Sequence, residues 1–137
     1  MPPKKSKKIS RVAIITKRSI GEVPKNVKLL KQLIKYLEKK KTEVLCDRNA
    51  GQLIKGKSGH NKDYLLRRAD LVIALGGDGT LLKTARRLSR KKVLILGVNL
   101  GNLGFLSESV PEKLFEDLDN IFKGKYHLDR RSLLRVT

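Results

Sequence analysis

Three glycines surround one carboxylate in the stretch Gly76-Gly77-Asp78-Gly79-Thr80, which follows directly after an apolar run. Glycine lacks a Cβ, so its backbone takes positive φ readily and lets a ligand approach the N–H groups closely. A helix that begins after the glycines would add unpaired N–H donors and the positive end of its dipole. The pattern therefore predicts a phosphate-binding turn made by Gly76, Gly77, Gly79 and Thr80.

Asp78 is the residue that a plain phosphate-binding turn does not explain, because phosphate repels a carboxylate. An acid at this position could bind Mg²⁺, or could accept the proton of a hydroxyl group that attacks a phosphoryl group. A structural role is open beside these two, since an acid in a Gly-Asp-Gly turn can simply cap the following helix. Thr80 likewise either caps the helix or binds a phosphate oxygen.

A second glycine-containing segment, GVNLGNLGFL at residues 97–106, follows the next apolar run. Asn99 is expected to hold the shape of this loop through hydrogen bonds from backbone to side chain, with Gly101 and Gly104 forming its turns. Neither segment has the spacing of a G-x-x-x-x-G-K-[ST] phosphate loop or of a G-x-G-x-x-G fingerprint. Ordinary P-loop and dinucleotide-binding sites are therefore excluded.

The elements that carry these loops follow from hydrophobic periodicity. Short, apolar, β-branched runs predict buried strands at residues 12–16, 42–46, 71–75 and 93–98. Helical spacing predicts amphipathic helices from Pro24 to about residue 40, at 63–68, after Gly79, and from Pro111 to a stop at Gly124, with residues 48–62 as a surface loop. This alternation specifies an α/β fold, a parallel sheet with helices on both faces. Both loops follow strand ends, where such sheets bind ligands, so they are expected to meet over one cleft.

The composition is that of a folded protein of modest size. The chain has 137 residues, 39% of them hydrophobic, and contains no apolar run long enough to span a membrane and no signal-peptide pattern. We predict a cytoplasmic protein with no membrane contact, comprising a disordered basic tail at residues 1–8 and an α/β nucleotide-binding domain at residues 9–125. Cys46, the single cysteine, is predicted to be a buried core residue and not a nucleophile.

Lys and Arg number 32 against 13 acidic residues, a net charge of +19 that will attract anions. Nucleic acid is one candidate partner, but aromatic residues are few and do not alternate with basic ones as in base-stacking surfaces. Lysine-rich, solvated helix faces explain the charge better, so nucleic acid is disfavoured. His60 and His127 match no ligand spacing, and we predict no metal-ligand set among the side chains.

Taken together, the two loops resemble those of NAD kinases, the ATP:NAD 2′-phosphotransferases that make NADP. The Gly-Gly-Asp-Gly-Thr motif is shared with diacylglycerol and sphingosine kinases and, more loosely, with phosphofructokinases, whereas the N-x-G-x-L-G-F-L loop is far more specific. The resemblance runs from Val12 to Val136 and implies the Rossmann-like N-terminal domain of the NAD kinase fold. A lipid kinase and a non-catalytic basic module that binds nucleotide or nucleic acid stay as alternatives.

The resemblance implies roles for residues of both loops. Asp78 matches the catalytic acid that accepts the proton of the adenosine-ribose 2′-hydroxyl of NAD, or orients it, during attack on the γ-phosphate of ATP. Positions matching NAD contacts are Asp78, Gly79, Lys83, Phe105 and Leu106, and the glycine backbone around the acid matches the ATP phosphate site. A solvated helix position explains Lys83 equally well, and core packing competes for Leu106. ATP with Mg²⁺ or another divalent cation is the implied donor, polyphosphate an alternative, and NAD or NADH the acceptor.

The same resemblance implies a second domain. In the family, a β-rich C-terminal domain carries an Asn-Glu motif and most of the remaining NAD contacts, and residues 126–137 match the start of the connection to it. We therefore expect the 137-residue chain by itself to bind nucleotide weakly and to catalyse little or nothing. Family members commonly form dimers and tetramers, so a homo-oligomer is implied for the full-length protein.

Overall fold

The computed structural model describes residues 8–87, 93–101, 109–128 and 134–135. Its strands are β1 (Arg11–Thr16), β2 (Glu43–Asp47), β3 (Gly59–His60), β4 (Leu71–Gly76), β5 (Leu94–Asn99), β6 (His127–Leu128) and β7 (Leu134–Arg135). Its α-helices are α1 (Pro24–Lys39), α2 (Arg48–Leu53), α3 (Lys62–Arg68), α4 (Asp78–Arg87) and α5 (Leu114–Phe122), and a 3₁₀ helix spans Arg18–Glu22. No helix in the described part of the chain is long and apolar enough to cross a membrane.

The first five strands form one parallel sheet in the order β3-β2-β1-β4-β5, while β6 and β7 pair as a short antiparallel ribbon. From β1 the chain first builds outward through β2 and β3 and then crosses to the other side of β1 to add β4 and β5. The carboxyl ends of β1 and β4 therefore flank the point at which the strand order reverses, where such sheets leave a crevice.

Helices cover both faces of the sheet, as predicted. Along β1, Val12 and Ile14 belong to a core cluster with α1 and α5, while Ala13 and Ile15 belong to a cluster with α3 and α4. Because both faces are buried, the strands are apolar throughout and do not alternate. Cys46 lies in the first cluster and is 1% exposed, which confirms its predicted core position. Burial raises the pKa of the Cys46 thiol to about 11, so it is protonated and unreactive at neutral pH.

One predicted loop and one predicted helix start differ from the structure. The predicted loop at 48–62 contains α2 and β3, which are six and two residues long and too short to show a hydrophobic period. The last helix begins at Leu114, because Pro111 and Glu112 lie in the preceding turn and the N-cap position falls on Lys113. The predicted stop at Gly124 is confirmed.

The helices α1 and α5 end in the same kind of C-terminal turn. After α5, Gly124 adopts φ 78°, the N–H of Gly124 bonds to Ile121 O and that of Lys125 to Asn120 O. This is the Schellman pattern, in which the residue in the left-handed region is usually glycine. After α1 the equivalent residue is Lys41, with φ 61°, which carries a Cβ in a conformation that disfavours one.

Asp47 joins three elements at the carboxyl edge of the sheet. Its carboxylate is buried at the end of β2 and accepts hydrogen bonds from Thr16 N at 2.7 Å, from Thr16 Oγ1 at 3.1 Å and from Ala50 N at 2.9 Å. The Thr16 bonds tie it to the end of β1, and the Ala50 bond caps α2. Burial raises the pKa of Asp47, and the hydrogen bonds from Ala50 and Thr16 oppose that rise.

We expect the Lys41→Gly substitution to stabilise the protein by about 0.5–1 kcal/mol, because glycine removes the left-handed strain at a cost in chain entropy. Urea unfolding of the two proteins measures the difference. The matched control is Lys35→Gly on the exposed face of α1, which is expected to destabilise by about 1 kcal/mol. Destabilisation by both substitutions would contradict the strain at Lys41.

We expect Asp47→Ala to destabilise the fold by about 2–3 kcal/mol, since it leaves buried N–H groups of Thr16 and Ala50 without their acceptor and removes a helix cap. Urea unfolding again provides the measurement. Asn61→Ala is the control: Asn61 caps α3 through Tyr64 N but is exposed, and its loss is expected to cost about 1 kcal/mol. Equal losses in the two variants would show that burial of the Asp47 network adds nothing.

The raised pKa of Asp47 also makes the stability of the fold depend on pH. The folded protein holds this proton more tightly than the unfolded chain, so the stability contributed by Asp47 is largest below the unfolded pKa of ~3.9 and falls as pH rises through the folded pKa. Urea unfolding of wild type and Asp47→Asn from pH 4 to 8 isolates the effect. We expect the advantage of the wild type over the variant to shrink as pH rises; an advantage that grows would mean that the pKa is lowered.

Candidate functional site

A cleft of about 630 Å³ opens at the carboxyl edge of the sheet, a size within the usual range of small-molecule sites. It lies beyond the ends of β1, β2 and β3 and beside the first turns of α4. We call it the basic cleft; its described lining residues are Thr16, Lys17, Arg18, Asp47, Arg48, Asn49, His60, Asn61, Lys62, Gly79, Thr80 and Lys83.

Positive charge dominates this cleft. Five of the lining side chains are cationic: Lys17, Arg18, Arg48, Lys62 and Lys83. The carboxylate in the described lining, Asp47, is already engaged by its hydrogen bonds to Thr16 and Ala50. Such a concentration of like charge raises the local concentration of anions, and Arg and Lys are the usual partners of phosphate.

Sequence reasoning missed most of these residues. Only Gly79, Thr80 and Lys83 of the cleft were predicted site residues, and His60 was predicted to have no site role. Their position relative to the strands could have identified three of them. Lys17, Arg48 and Lys62 lie within two residues of the ends of β1, β2 and β3, respectively. In a parallel sheet, residues at that position converge on one edge.

The three glycines of the motif have different surroundings. Gly76 is buried, and a Cβ built on it would lie 2.3 Å from Thr80 Oγ1, so Thr80 can pack there only against glycine. A Cβ on Gly77 or Gly79 would meet nothing within 4 Å. None of the three lies in the left-handed region, so their capacity for positive φ is not used in this structure. Close packing of α4 on β4 explains why residue 76 is a glycine. At Gly77 and Gly79 the absence of a side chain leaves open space beside the backbone.

Asp78 is the first residue of α4 and is half-buried. Gly77 occupies the N-cap position, because its carbonyl oxygen accepts the first helical hydrogen bond, from Leu81 N at 3.1 Å. Thr80 lies one position further into the helix than Gly79, and its carbonyl oxygen accepts a hydrogen bond from Thr84 Oγ1. The negative charge of Asp78 therefore sits in the first turn, where the helix dipole stabilises it.

The second loop starts beside the first. Gly76 and Asn99 are register partners at the ends of β4 and β5, and Leu100 N donates to Gly76 O at 2.8 Å. Asn99 Oδ1 accepts a hydrogen bond from Gly101 N at 3.0 Å, and Ser109 returns to bridge Val98 beside the base of the loop. Gly104, Phe105 and Leu106 lie outside the described residues.

The described parts of the two loops line separate clefts. Asn99 and Gly101 border a second cleft of about 420 Å³, which lies between the start of α1 and the turn that precedes α5. Gly79, Thr80 and Lys83 border the basic cleft instead. That the two loops meet over one cleft stays a prediction, because residues 102–108 of the second loop lie outside the described residues. In the sheet, β4, which leads into Asp78, lies between β1 and β5.

Metal-ligating side chains do not cluster in the part of the chain described. Within those residues no group of three or more His, Cys, Asp or Glu side chains could hold a metal ion.

Comparisons with known proteins agree on one family. The chain is similar to the NAD kinases of Methanothermobacter thermautotrophicus (30% identity over 92% of this chain and 44% of the relative) and Geotalea daltonii (36%, over 83% and 40%). It is also similar to that of Methanosphaera stadtmanae, with 36% identity over 92% of this chain and 45% of the relative. The chain thus spans less than half the length of these relatives.

The fold is shared with a solved structure, a crystal structure of yeast NADH kinase complexed with NADH. The TM-score is 0.72 at 20% sequence identity, over 88% of this chain and 40% of that chain. Residues 12–126 match the family model of the ATP-NAD kinase N-terminal domain. Since this match covers most of the chain and includes both glycine loops, the chain belongs to the ATP-NAD kinase family.

Proposed function

We propose that this chain supplies the catalytic acid and the phosphoryl-donor site of an NAD kinase, which phosphorylates the 2′-hydroxyl of the adenosine ribose of NAD with ATP to make NADP. The observation that carries the proposal is the position of Asp78. It follows β4, which lies between β1, whose end borders the basic cleft, and β5, whose end borders the second cleft. An acid at this junction can face a hydroxyl and a phosphoryl group that arrive from opposite sides.

In this mechanism the 2′-oxygen of NAD attacks the γ-phosphorus of ATP, and the bond from that phosphorus to the bridging oxygen breaks to release ADP. The hydroxyl proton passes to the Asp78 carboxylate. Asp78 is proposed to orient the hydroxyl and to take its proton as the new bond to phosphorus forms.

The basic cleft is the proposed donor site. The open backbone at Gly77 and Gly79 lets phosphate oxygens come close, and Thr80 and Lys83 extend the site along α4. The carboxylate of Asp47 accepts hydrogen bonds from Thr16 and Ala50, so we do not propose it as a metal ligand. A divalent cation bound with the triphosphate would neutralise charge on its phosphates.

NAD is proposed to bind on the side of the second loop, with Asp78, Gly79, Phe105 and Leu106 as contacts. Lys83 was predicted to contact NAD; its place in the basic cleft supports a phosphate contact instead. The relatives are more than twice as long as the part this chain matches, and further NAD contacts are proposed to come from the region of the relatives outside that part. We therefore expect the 137 residues alone to form little NADP.

The alternatives have less support. The lipid-kinase alternative was based on the shared Gly-Gly-Asp-Gly-Thr motif. The family match over residues 12–126 favours an NAD kinase instead. The nucleic-acid-binding alternative was based on the net charge. The prediction that lysine-rich, solvated helix faces carry much of this charge fits α1, where five lysines are exposed: Lys25, Lys28, Lys31, Lys35 and Lys39. A homo-oligomeric full-length protein and a cytoplasmic location stay predictions.

The role of Asp78 can be tested in a chimera that joins this chain to the C-terminal region of the Methanothermobacter thermautotrophicus NAD kinase. With ATP, Mg²⁺ and NAD, we expect the chimera to form NADP and Asp78→Asn to lower kcat by about 10²–10⁴-fold, the usual contribution of general acid–base catalysis. Enzymatic assay of NADP gives the rates.

Asp63→Asn is the matched control, because Asp63 is an exposed acid in the first turn of α3 whose ion pair is with Arg87, at the far end of α4 from Asp78. It is expected to leave kcat unchanged. Full activity in Asp78→Asn would remove the proposed role of the acid, and phosphorylation of sphingosine or diacylglycerol with NAD inert would favour the lipid kinase.

A further inference from the structure

We propose that His60 is the base-binding residue of the basic cleft, which holds a purine nucleoside triphosphate with its base stacked on the imidazole and its phosphates on the cations toward Gly79 and Thr80. This inference rests on the proposed donor site and adds what recognises the nucleoside half of the donor. It assigns a role to a histidine for which the sequence offered none.

His60 lies at the end of a three-layer stack. Its imidazole lies parallel to the Tyr64 ring, with ring centroids 4.3 Å apart and an interplanar angle of 13°. The guanidinium carbon of Arg68 lies 3.9 Å from the centroid of the same Tyr64 ring. Tyr64 covers one face of the imidazole, and a planar base on the other face would continue the stack. Aromatic and guanidinium planes are the surfaces on which bases stack in proteins.

The stack is attached to the sheet and to the start of α3 at the edge of the cleft. His60 is in register with Asp47 across the pair of β2 and β3, so its backbone is part of the sheet. Asn61 caps α3 through the backbone N–H of Tyr64 at 2.8 Å, which anchors the backbone that carries the ring. His60 is half-exposed, lines the cleft and is stacked on Tyr64 in this structure. A preformed platform spares the ligand the entropy cost of ordering it.

Charge indicates which nucleotide the cleft prefers. Adenine nucleotides reach this family from two sources, ATP and NAD, and both carry a base that could stack. A triphosphate carries more negative charge than the pyrophosphate of NAD, and five cationic side chains line the cleft. The phosphate-binding residues Gly79 and Thr80 line the same cleft as His60. The arrangement therefore fits a triphosphate better than NAD, and the stack gives it a base-binding element that inorganic polyphosphate does not use.

Calorimetric titration of the 137-residue chain tests this, with Mg²⁺ present and with ATP, inorganic tripolyphosphate and NAD as separate ligands. We expect His60→Ala to weaken ATP binding about tenfold, the effect of losing one stacked base, and to leave tripolyphosphate binding within about twofold. His60→Phe keeps a stacking surface and is expected to retain ATP affinity. Lys83→Ala, which removes a phosphate contact, is expected to weaken ATP and tripolyphosphate alike.

His127→Ala is the matched control, since His127 is an exposed histidine on β6 and does not line the cleft. It is expected to change no affinity, and circular dichroism confirms that each variant is folded. Equal weakening of ATP and tripolyphosphate by His60→Ala would mean that the histidine contacts phosphate, and would overturn the proposal. Failure of the wild type to bind ATP, an unchanged ATP affinity in His60→Ala, or a loss confined to NAD would overturn it as well.

The two proposals fail separately. If ATP binds with the expected dependence on His60 but the chimera forms no NADP, the base platform stands and the NAD kinase activity falls. If the chimera forms NADP and His60→Ala leaves its KM for ATP unchanged, the activity stands and the platform falls.

Discussion

The buried carboxylate of Asp47 is the interaction on which the cleft depends. Burying a charge is costly unless hydrogen bonds compensate it, and here they come from the backbone of Thr16, its hydroxyl and the backbone of Ala50. These bonds hold the ends of β1 and β2 together and start α2 at the next residue. His60 is paired with Asp47 across the sheet. One carboxylate thus positions three sides of the cleft.

A second constraint places the acid. α4 starts at Asp78 with a single residue between it and the end of β4, and the helix packs so closely on the strand that Thr80 would collide with any side chain at Gly76. The direction of β4 therefore sets the position of Asp78, and no flexible loop intervenes. Because β4 lies between β1 and β5, an acid at its end lies between the groups that follow those strands.

The large positive charge has two different distributions. The lysines on α1 spread over one solvated face, as the sequence indicated, whereas Lys17, Arg48, Lys62 and Lys83 come from separate segments and converge on one cleft. Basic side chains are thus spread over a solvated helix face in one place and concentrated around one cleft in the other. A charge count cannot separate the two, because only convergence in space produces a binding field.

The sequence by itself determined the features that depend on neighbouring residues or on a periodic pattern of apolar residues. The apolar runs of the strands, the helix from Pro24 and the stop at Gly124 depend on residues close together in the chain, and the two glycine loops carried the family. The family roles of Phe105 and Leu106 stay predictions, since both lie outside the described residues. Tertiary structure alone decided that Asp47 and His60 border the same cleft as Lys83. That convergence depends on strand order and register, and these arise from the packing of both sheet faces over the whole chain, which no short stretch of sequence encodes.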